Sequence, residues 1–462
     1  MQDIRDLPNA EVLNVNFRGT RSVSTDSRMV SAGQVFFALR GEKFDGHNFV
    51  SDVVRKGATC AVVDRKWLRK NKQVAGKLPL VAVEDTTTAL GDLARIYRRK
   101  FDMPVIAVGG SNGKTTTKEM IARVLGRRFR VARTPGNHNN QVGVPQTIFG
   151  FRKSHEIAVV EIGTNHFGEI ERLCTILEPT AGLITNIGSE HLEFFKSITG
   201  VRKEEGGLFE FLRSTSGLAF ANLDDKNLAH LAKKSRLKFT YGFLNGARRN
   251  LQARLFGFDR RGCALFEMNY GGRTELVHLN VPGVHNAINA LAAAAVGFHF
   301  GVDGASIKRA LDSYRSYEKR MQIVKAGGVT ILNDTYNSNP DSAIEALRWL
   351  SMVKTSGRRI AVLADMLELG DTSRREHRRV GKQAAKEGID FLFTYGKMAR
   401  DIAAAAGDRL KTESFDSKKK LSGRLAGTIS AGDVVLVKGS RGMKMEEIVA
   451  ALQSELRTGG VR

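Results

Sequence analysis

The sequence predicts an α/β protein of three domains, and three observations carry that reading. At 462 residues the chain is longer than one hydrophobic core holds together. The run Val105-Ile-Ala-Val-Gly109 breaks into glycines and then into a lysine, three threonines and a helix-forming segment, the order of a strand, a phosphate loop and a helix N-terminus. Further β-branched runs, separated by helical or polar stretches, recur after that loop and again in the last third of the chain, as in parallel sheets covered by helices. We expect a small mixed α/β N-terminal domain over residues 1–101 and a central P-loop ATPase domain over 102–318, with a parallel sheet plus antiparallel strands. A Rossmann-like C-terminal domain over 319–462 completes the chain.

Composition narrows the class. Hydrophobic residues at 42% and charged residues at 26% are those of a folded, soluble protein. The longest apolar candidate for a membrane span, Ala287 to Phe300, is too short and carries Asn289 and His299. The N-terminus lacks the basic and apolar regions of a signal peptide, so a cytoplasmic protein without membrane insertion is expected. Cys60, Cys174 and Cys263 are far apart and show no metal-ligand spacing, as reduced structural cysteines do. The net charge of +24 raises the question of nucleic acid, but Lys and Arg are interspersed with acids and no basic, aromatic RNA-binding motif is present. No nucleic-acid partner is expected; the charge suits the steering of phosphorylated anions.

In the first domain, Val23-Ser-Thr-Asp-Ser-Arg28, the strand pattern Gly33 to Arg40 and the run Gly41 to Val50 could hold a phosphate and a heterocycle. The same residues are also ordinary turn chemistry. Asp85 caps an amphipathic helix whose Leu90, Leu93, Ala94 and Tyr97 share a face, and Pro104 breaks the chain before the central domain. The loop itself reads Gly110-Ser-Asn-Gly113-Lys-Thr, with Val108 where the first glycine of the commonest phosphate-loop spacing belongs. Its glycines free backbone N–H groups to converge, Lys114 adds a positive charge, and the Thr115 hydroxyl can ligate magnesium, so a nucleoside triphosphate is expected.

Strands are then expected over Ile157–Ile162, Ala181–Ile187 and Gly217–Asn222. Glu161, His191 and Asp224 would lie beyond their carboxyl ends, where ligands gather in such sheets. An ionisable group at the end of an apolar strand needs a cation or donor, which favours a metal role for Glu161. His191 could equally cap or pack. The loop Thr134 to Pro145 is rich in amides that suit a substrate or its own turns. Residues 251 to 281 alternate as antiparallel strands, and Pro282-Gly-Val-His-Asn286 opens an Ala-rich helix. The third domain carries polar groups at its strand ends, in Asn333 to Pro340, Ala364 to Gly370 and Lys438 to Gly442, without the G-x-G-x-x-G of a dinucleotide site.

These runs, with Gly136 to Pro145, Glu161 to Asn165 and Glu190 to Glu193, resemble those of the Mur ligase family over nearly the whole chain. The runs Asp334 to Pro340 and Asp365 to Gly370 resemble the member that adds D-alanyl-D-alanine rather than the one adding the third residue. The resemblance implies an ATP- and Mg2+-dependent ligase that joins D-alanyl-D-alanine to UDP-N-acetylmuramoyl-tripeptide through an acyl phosphate, acting as a monomer. It implies that Gly110, Ser111, Asn112, Gly113, Lys114, Thr115 and Thr116 hold ATP, with Asn286 at adenine and Arg320 and Asp334 at ribose and phosphates. Thr115 and Glu161 resemble ligands of one magnesium and His191 lies near a second, with Lys114, Glu161 and His191 catalytic. Substrate contacts are implied for Ser24, Asp26, Ser27, Arg28 and His47, for Asn137 and Asn139, for Tyr336, Asn337 and Asn339, and for Lys438, Ser440 and Arg441. Most family members carry a carbamylated lysine fourteen residues after that histidine; here the position is Glu205, which we expect to supply the same charge to the second magnesium. Another amide ligase of the family and, on charge alone, a nucleic-acid-binding NTPase are the rival readings.

Overall fold

The computed structural model describes residues 2–41, 44–243 and 249–458. Glu42 and Lys43 of the run Gly41 to Val50, and residues 1, 244–248 and 459–462 of the expected domains, lie outside the described residues. Three main sheets follow one another along the chain. The first has five strands in the order Glu11–Leu13, Leu80–Val83, Cys60–Asp64, Gln34–Phe37, Ser22–Ser24, and all but the first pairing are parallel. The helix Thr86–Arg98 leaves this sheet. Asp85 caps it by accepting from the Thr88 N–H at 2.6 Å, and Leu90, Leu93 and Ala94 are wholly buried.

That helix is also the joint to the second domain. Arg95 and Arg99 both pair with Glu178, Arg98 Nε donates to Leu177 O, and the Tyr97 and Phe101 rings pack against Phe149 and Phe151.

The central sheet has nine strands. Six run parallel, from Val131–Arg133 through Ile157–Glu161, Val105–Gly109, Ala181–Ile184 and Leu218–Asn222 to Lys238–Gly242. Leu251–Phe258 pairs parallel with the last of these, and Cys263–Tyr270 and Arg273–Pro282 extend the same sheet antiparallel. The strands Val105–Gly109 and Ile157–Glu161 are buried at every position, which is why they read as continuous apolar runs. The expected strand over Ala181–Ile187 ends at Ile184, because the Thr185 hydroxyl turns to donate to Asn112 O at 2.7 Å. The Ala-rich helix spans Val284–His299, and its buried alanines let it lie against the phosphate-loop helix Lys114–Leu125; a Cβ at Gly297 would strike Val124 Cγ1.

The third sheet runs Gln322–Ala326, Val329–Asp334, Val434–Lys438, Arg359–Ala364, Phe391–Tyr395, Lys411–Phe415, with only the first pair antiparallel. This domain is closed onto the central one. Their apolar contacts form one continuous core that includes Ile187 and Leu192 with Leu347, Met366 and Leu369. Trp349, wholly buried, donates its Nε1–H to Arg261 O at 2.9 Å. Trp349→Ala should therefore lower the resistance to guanidinium unfolding, followed by circular dichroism, by about 3–5 kcal/mol.

Candidate active site

Three parallel strands in register bring the chemistry together. Glu161 stands beside Val108 and Ile184 beside Gly109, so the ends of all three strands open at the phosphate loop. The loop is pinned from below. Asn112 N donates to Asn186 Oδ1 at 3.1 Å, Gly188 N donates to Ser111 Oγ at 2.8 Å, and Ser111 N donates to Asn186 O at 2.9 Å. Gly110 and Gly113 need their freedom here: both have positive φ, and a Cβ would collide with Thr185 at the first and Asn289 at the second.

Lys114 starts the helix and folds back over the loop, donating to the carbonyl oxygens of Gly110 and Ser111 and lying 3.5 Å from Glu190 Oε2. Burial alone would lower its pKa, but the carboxylates of Glu190, Glu205 and Glu161 outweigh that and hold it above the ordinary lysine value. Glu161 is 1% exposed; its Oε1 accepts from Thr115 Oγ1 at 3.2 Å and Asn139 Nδ2 at 2.9 Å, while its Oε2 has no hydrogen-bond partner. His191 lies with Nδ1 2.5 Å from Glu368 Oε2, a contact across the domain boundary, and Nε2 4.0 Å from Glu190 Oε2.

A cavity of about 610 Å³ lies between the central and third domains, walled by these groups together with His285, Asn286 and Asn289 of the Ala-rich helix. From the third domain, Asp334 Oδ2 accepts from Lys438 Nζ at 2.6 Å, and the Arg320 guanidinium stacks 3.7 Å from the Tyr336 ring centre. Asn339 caps the helix Pro340–Met352 and gives Nδ2–H to Asn112 Oδ1 at 2.9 Å, so the two domains touch at the phosphate loop itself. A second cavity of about 260 Å³ shares Lys114, Asn139, Asn165 and His191 with the first and opens past Val142.

Comparison with known proteins gives this architecture relatives. Family models for the Mur ligase middle domain, the Mur ligase glutamate ligase domain and the Mur ligase catalytic domain match residues 108–297, 319–441 and 20–98. A Bacillus subtilis protein named UDP-N-acetylmuramoyl-tripeptide--D-alanyl-D-alanine ligase is 34% identical over 98% of both chains. The chain belongs to the Mur ligase family. A crystal structure of MurF from Acinetobacter baumannii superposes with a TM-score of 0.86 at 30% identity, covering 94% of both chains. A MurF ligase from Thermotoga maritima in complex with ADP does so with a TM-score of 0.83 at 28% identity, over 95% of this chain and 98% of that one. This Mur ligase is an ATP-dependent ligase.

Most residues that the sequence singles out meet in the larger cavity. Ser111 to Thr116, Asn137, Asn139, Glu161, His191, Asn286, Arg320, Asp334, Tyr336, Asn337, Asn339, Lys438, Ser440 and Arg441 all line it. Ser24, Asp26, Ser27 and Arg28 do not line either cavity. Asp26 pairs with Arg28 at 2.7 Å, and their turn meets the central domain through Gln146 Nε2 donating to Thr25 Oγ1.

Two of the expected contact residues already have partners within the fold. His47 is 2% exposed and has both ring nitrogens engaged: Nδ1 lies 2.6 Å from Asp45 Oδ1, and Nε2 accepts the Asp64 N–H at 3.0 Å. These contacts pin the turn at Asp45 to the strand end at Asp64. Ser440, on the cavity wall, is 3% exposed, and its hydroxyl accepts from Leu367 N while donating to Ser338 O, which ties two loops together there.

Glu205 lies apart from these groups. It is fully buried beneath the loop and lines neither cavity; its Oε2 accepts the Gly110 N–H at 2.7 Å. Lys118 is a residue that sequence reasoning missed. Wholly buried, it donates to Thr134 O and Gly136 O at 2.8 and 2.7 Å and lies 3.9 Å from Glu161 Oε2, tying the phosphate-loop helix to the amide loop. Its position four residues after Lys114, on the same helix face, is the signal that could have found it.

Burial pushes the Glu205 carboxyl up to about 8 against the pull of Lys114, with Glu190 and Glu204 adding to the rise. The folded chain thus keeps a proton that the unfolded chain releases above its ordinary value of 4.5. Stability from this group is full below that value and is lost as pH rises toward 8. Glu205→Gln, which keeps an acceptor for Gly110 N–H without the ionisation, should flatten that decline in denaturant midpoints measured across the same pH range.

Proposed function

We propose that this Mur ligase joins D-alanyl-D-alanine to UDP-N-acetylmuramoyl-tripeptide, with ATP converted to ADP and phosphate. The observation that carries the reading is one cavity walled by a phosphate loop on one side and by the polar strand ends of a closed third domain on the other. Full-length similarity to relatives named for that reaction supports it. A peptide carboxylate is a poor acyl donor, and it repels the triphosphate that must activate it. Lys114 stands where it can swing from the Gly110 and Ser111 carbonyls to the transferred phosphoryl group and offset that repulsion.

The residues present fit a magnesium ion. Glu161 Oε2 is buried without a hydrogen bond, 3.9 Å from Lys118, while its Oε1 accepts from the Thr115 hydroxyl, and both residues stand on the cavity wall as hard oxygen donors. Among the described residues no three His, Cys, Asp or Glu side chains converge as a complete metal cage, so phosphate oxygens and water would fill the rest of the shell. When bound, the ion would neutralise charge on the phosphates as they pass the γ-phosphoryl group.

The smaller cavity suits the tripeptide carboxylate: it starts at Lys114 and continues past Asn139 and Asn165, whose amides can orient an acyl group. The acyl phosphate formed there is attacked by the dipeptide amine, giving a tetrahedral oxyanion from which phosphate leaves. Asn139, which donates to Glu161, keeps the carboxylate ligand and the acyl site in one geometry. Arg320, held over Tyr336 with an unpartnered Nε, is positioned for phosphate oxygens. We infer a working monomer, and the nucleotide-linked substrates support a place in the cytoplasm. No helix of the described residues is long and apolar enough to cross a membrane.

Phosphate release should depend on both UDP-N-acetylmuramoyl-tripeptide and D-alanyl-D-alanine and be unaffected by RNA or DNA. Lys114→Ala should lower kcat by about 100- to 1,000-fold while leaving thermal unfolding close to that of the parent. Release without the dipeptide at the full rate would contradict the reading.

A further inference from the structure

A second buried ammonium, which the proposed reaction does not use, sits one turn after Lys114 on the phosphate-loop helix Lys114–Leu125. Lys118 is wholly buried, and its three N–H groups find three acceptors: Thr134 O at 2.8 Å, Gly136 O at 2.7 Å and Glu119 Oε1 at 3.0 Å. Glu161 Oε2, at 3.9 Å, is left outside this set. Taking an ammonium out of water is costly, and here that cost is met at the two carbonyls that start the amide loop.

Those carbonyls flank Pro135, which has no N–H to offer its own turn. The near end of the loop is sewn to the sheet: Thr134 N donates to Val159 O, and Thr134 Oγ1 accepts the Glu161 N–H at 2.9 Å. Gly136 then turns the chain with a φ of 53°, and Asn137 and Asn139 follow on the cavity wall. Asn139 gives Nδ2–H to Glu161 Oε1 at 2.9 Å, and its carbonyl accepts the Gly163 N–H at 2.8 Å. Gly163 permits that approach, since a Cβ there would come 2.7 Å from Asn139 Nδ2. Lys118 thus joins the helix that opens with Lys114 to the turn that carries the cavity amides.

We propose that Lys118 is a positioning residue for the acyl substrate: it fixes the turn at Pro135 so that the Asn139 amide meets the tripeptide end in the smaller cavity. Because it does so from the phosphate-loop helix, it holds the acyl site and the phosphate loop at one spacing. The inference rests on the reading of the smaller cavity as the tripeptide site and names the residue that shapes it.

Titration calorimetry and amide hydrogen exchange on the full chain test it. Lys118→Met keeps an unbranched stem without the donors. It should weaken binding of UDP-N-acetylmuramoyl-tripeptide, with a nonhydrolysable ATP analogue present, by at least about tenfold, and binding of the analogue itself by less than about threefold. Added to Asn139→Ala, Lys118→Met should weaken tripeptide binding little further, because the lysine acts through that amide. Exchange at residues 135–142 should rise in Lys118→Met while exchange at 110–116 stays as in the parent. Parallel weakening of both ligands, additive losses in the double variant, or unchanged exchange at 135–142 overturns the proposal. Lys118→Gln, which keeps donors on a shorter stem, should fall between the parent and Lys118→Met. If neither variant folds, Lys118 belongs to the fold alone and the proposal is overturned as well. A parent that binds the analogue but not the tripeptide, with loop exchange still raised by Lys118→Met, would instead count against the ligase reading alone.

Discussion

The structure depends on how a buried lysine is balanced. Lys114 rests on two carbonyls and among three buried acidic side chains in the closed chain. Each carboxylate meets that ammonium from a different part of the sheet: Glu161 from a strand end, Glu190 from the loop after the neighbouring strand, and Glu205 from a helix packed below. Burying so much opposite charge is unfavourable unless every group has a donor or a cation. That requirement explains why Asn139 and Lys118 approach Glu161, and why the backbone of Gly110 serves Glu205.

Closure of the third domain belongs to the same balance. Asn339 reaches Asn112 in the phosphate loop, Asp341 takes the N–H of Ser189, and Glu368 takes His191. Each contact falls on a segment that touches the reacting groups rather than on the periphery. Polar groups from the third domain, Arg320 and Lys438 among them, therefore share one cavity with the phosphate loop.

What the sequence makes legible follows from how local each signal is. The phosphate loop is a contiguous run whose glycines and lysine have no other explanation, and Glu161 stands out because it ends an apolar strand. Residues whose role is set by distant partners are not legible in this way. The run around His47 does not spell out that Asp45 and Asp64 close on both its nitrogens, nor does the run around Ser440 show that Leu367 and Ser338 take its hydroxyl. Counting from His191 singles out Glu205. Its direction, under the loop instead of into the cavity, depends on helix packing that no spacing encodes. Three well-marked sheets were legible from their β-branched runs, whereas short edge strands such as Val131–Arg133 and Lys411–Phe415 carry too little apolar pattern to be singled out.

The backbone at the domain joint sets a limit on how firmly the closed form is held. Lys319, Met321, His191 and Glu368 all adopt left-handed φ, between 45° and 62°, a region that costs a residue with a side chain about 1 kcal/mol or more. Two of them lie in the link between the second and third domains, and two at the loop pair that meets across the cavity. Each is held by a specific bond or contact: Met321 N to Asp334 Oδ1, Tyr336 N to Lys319 O, Glu193 N to Glu368 O, and His191 against the Glu368 carboxylate. The contacts that close the third domain are thus partly offset by the backbone they constrain. Strained backbone and closing contacts therefore fall on the same residues, His191 and Glu368 on the cavity wall and Lys319 and Met321 in the link.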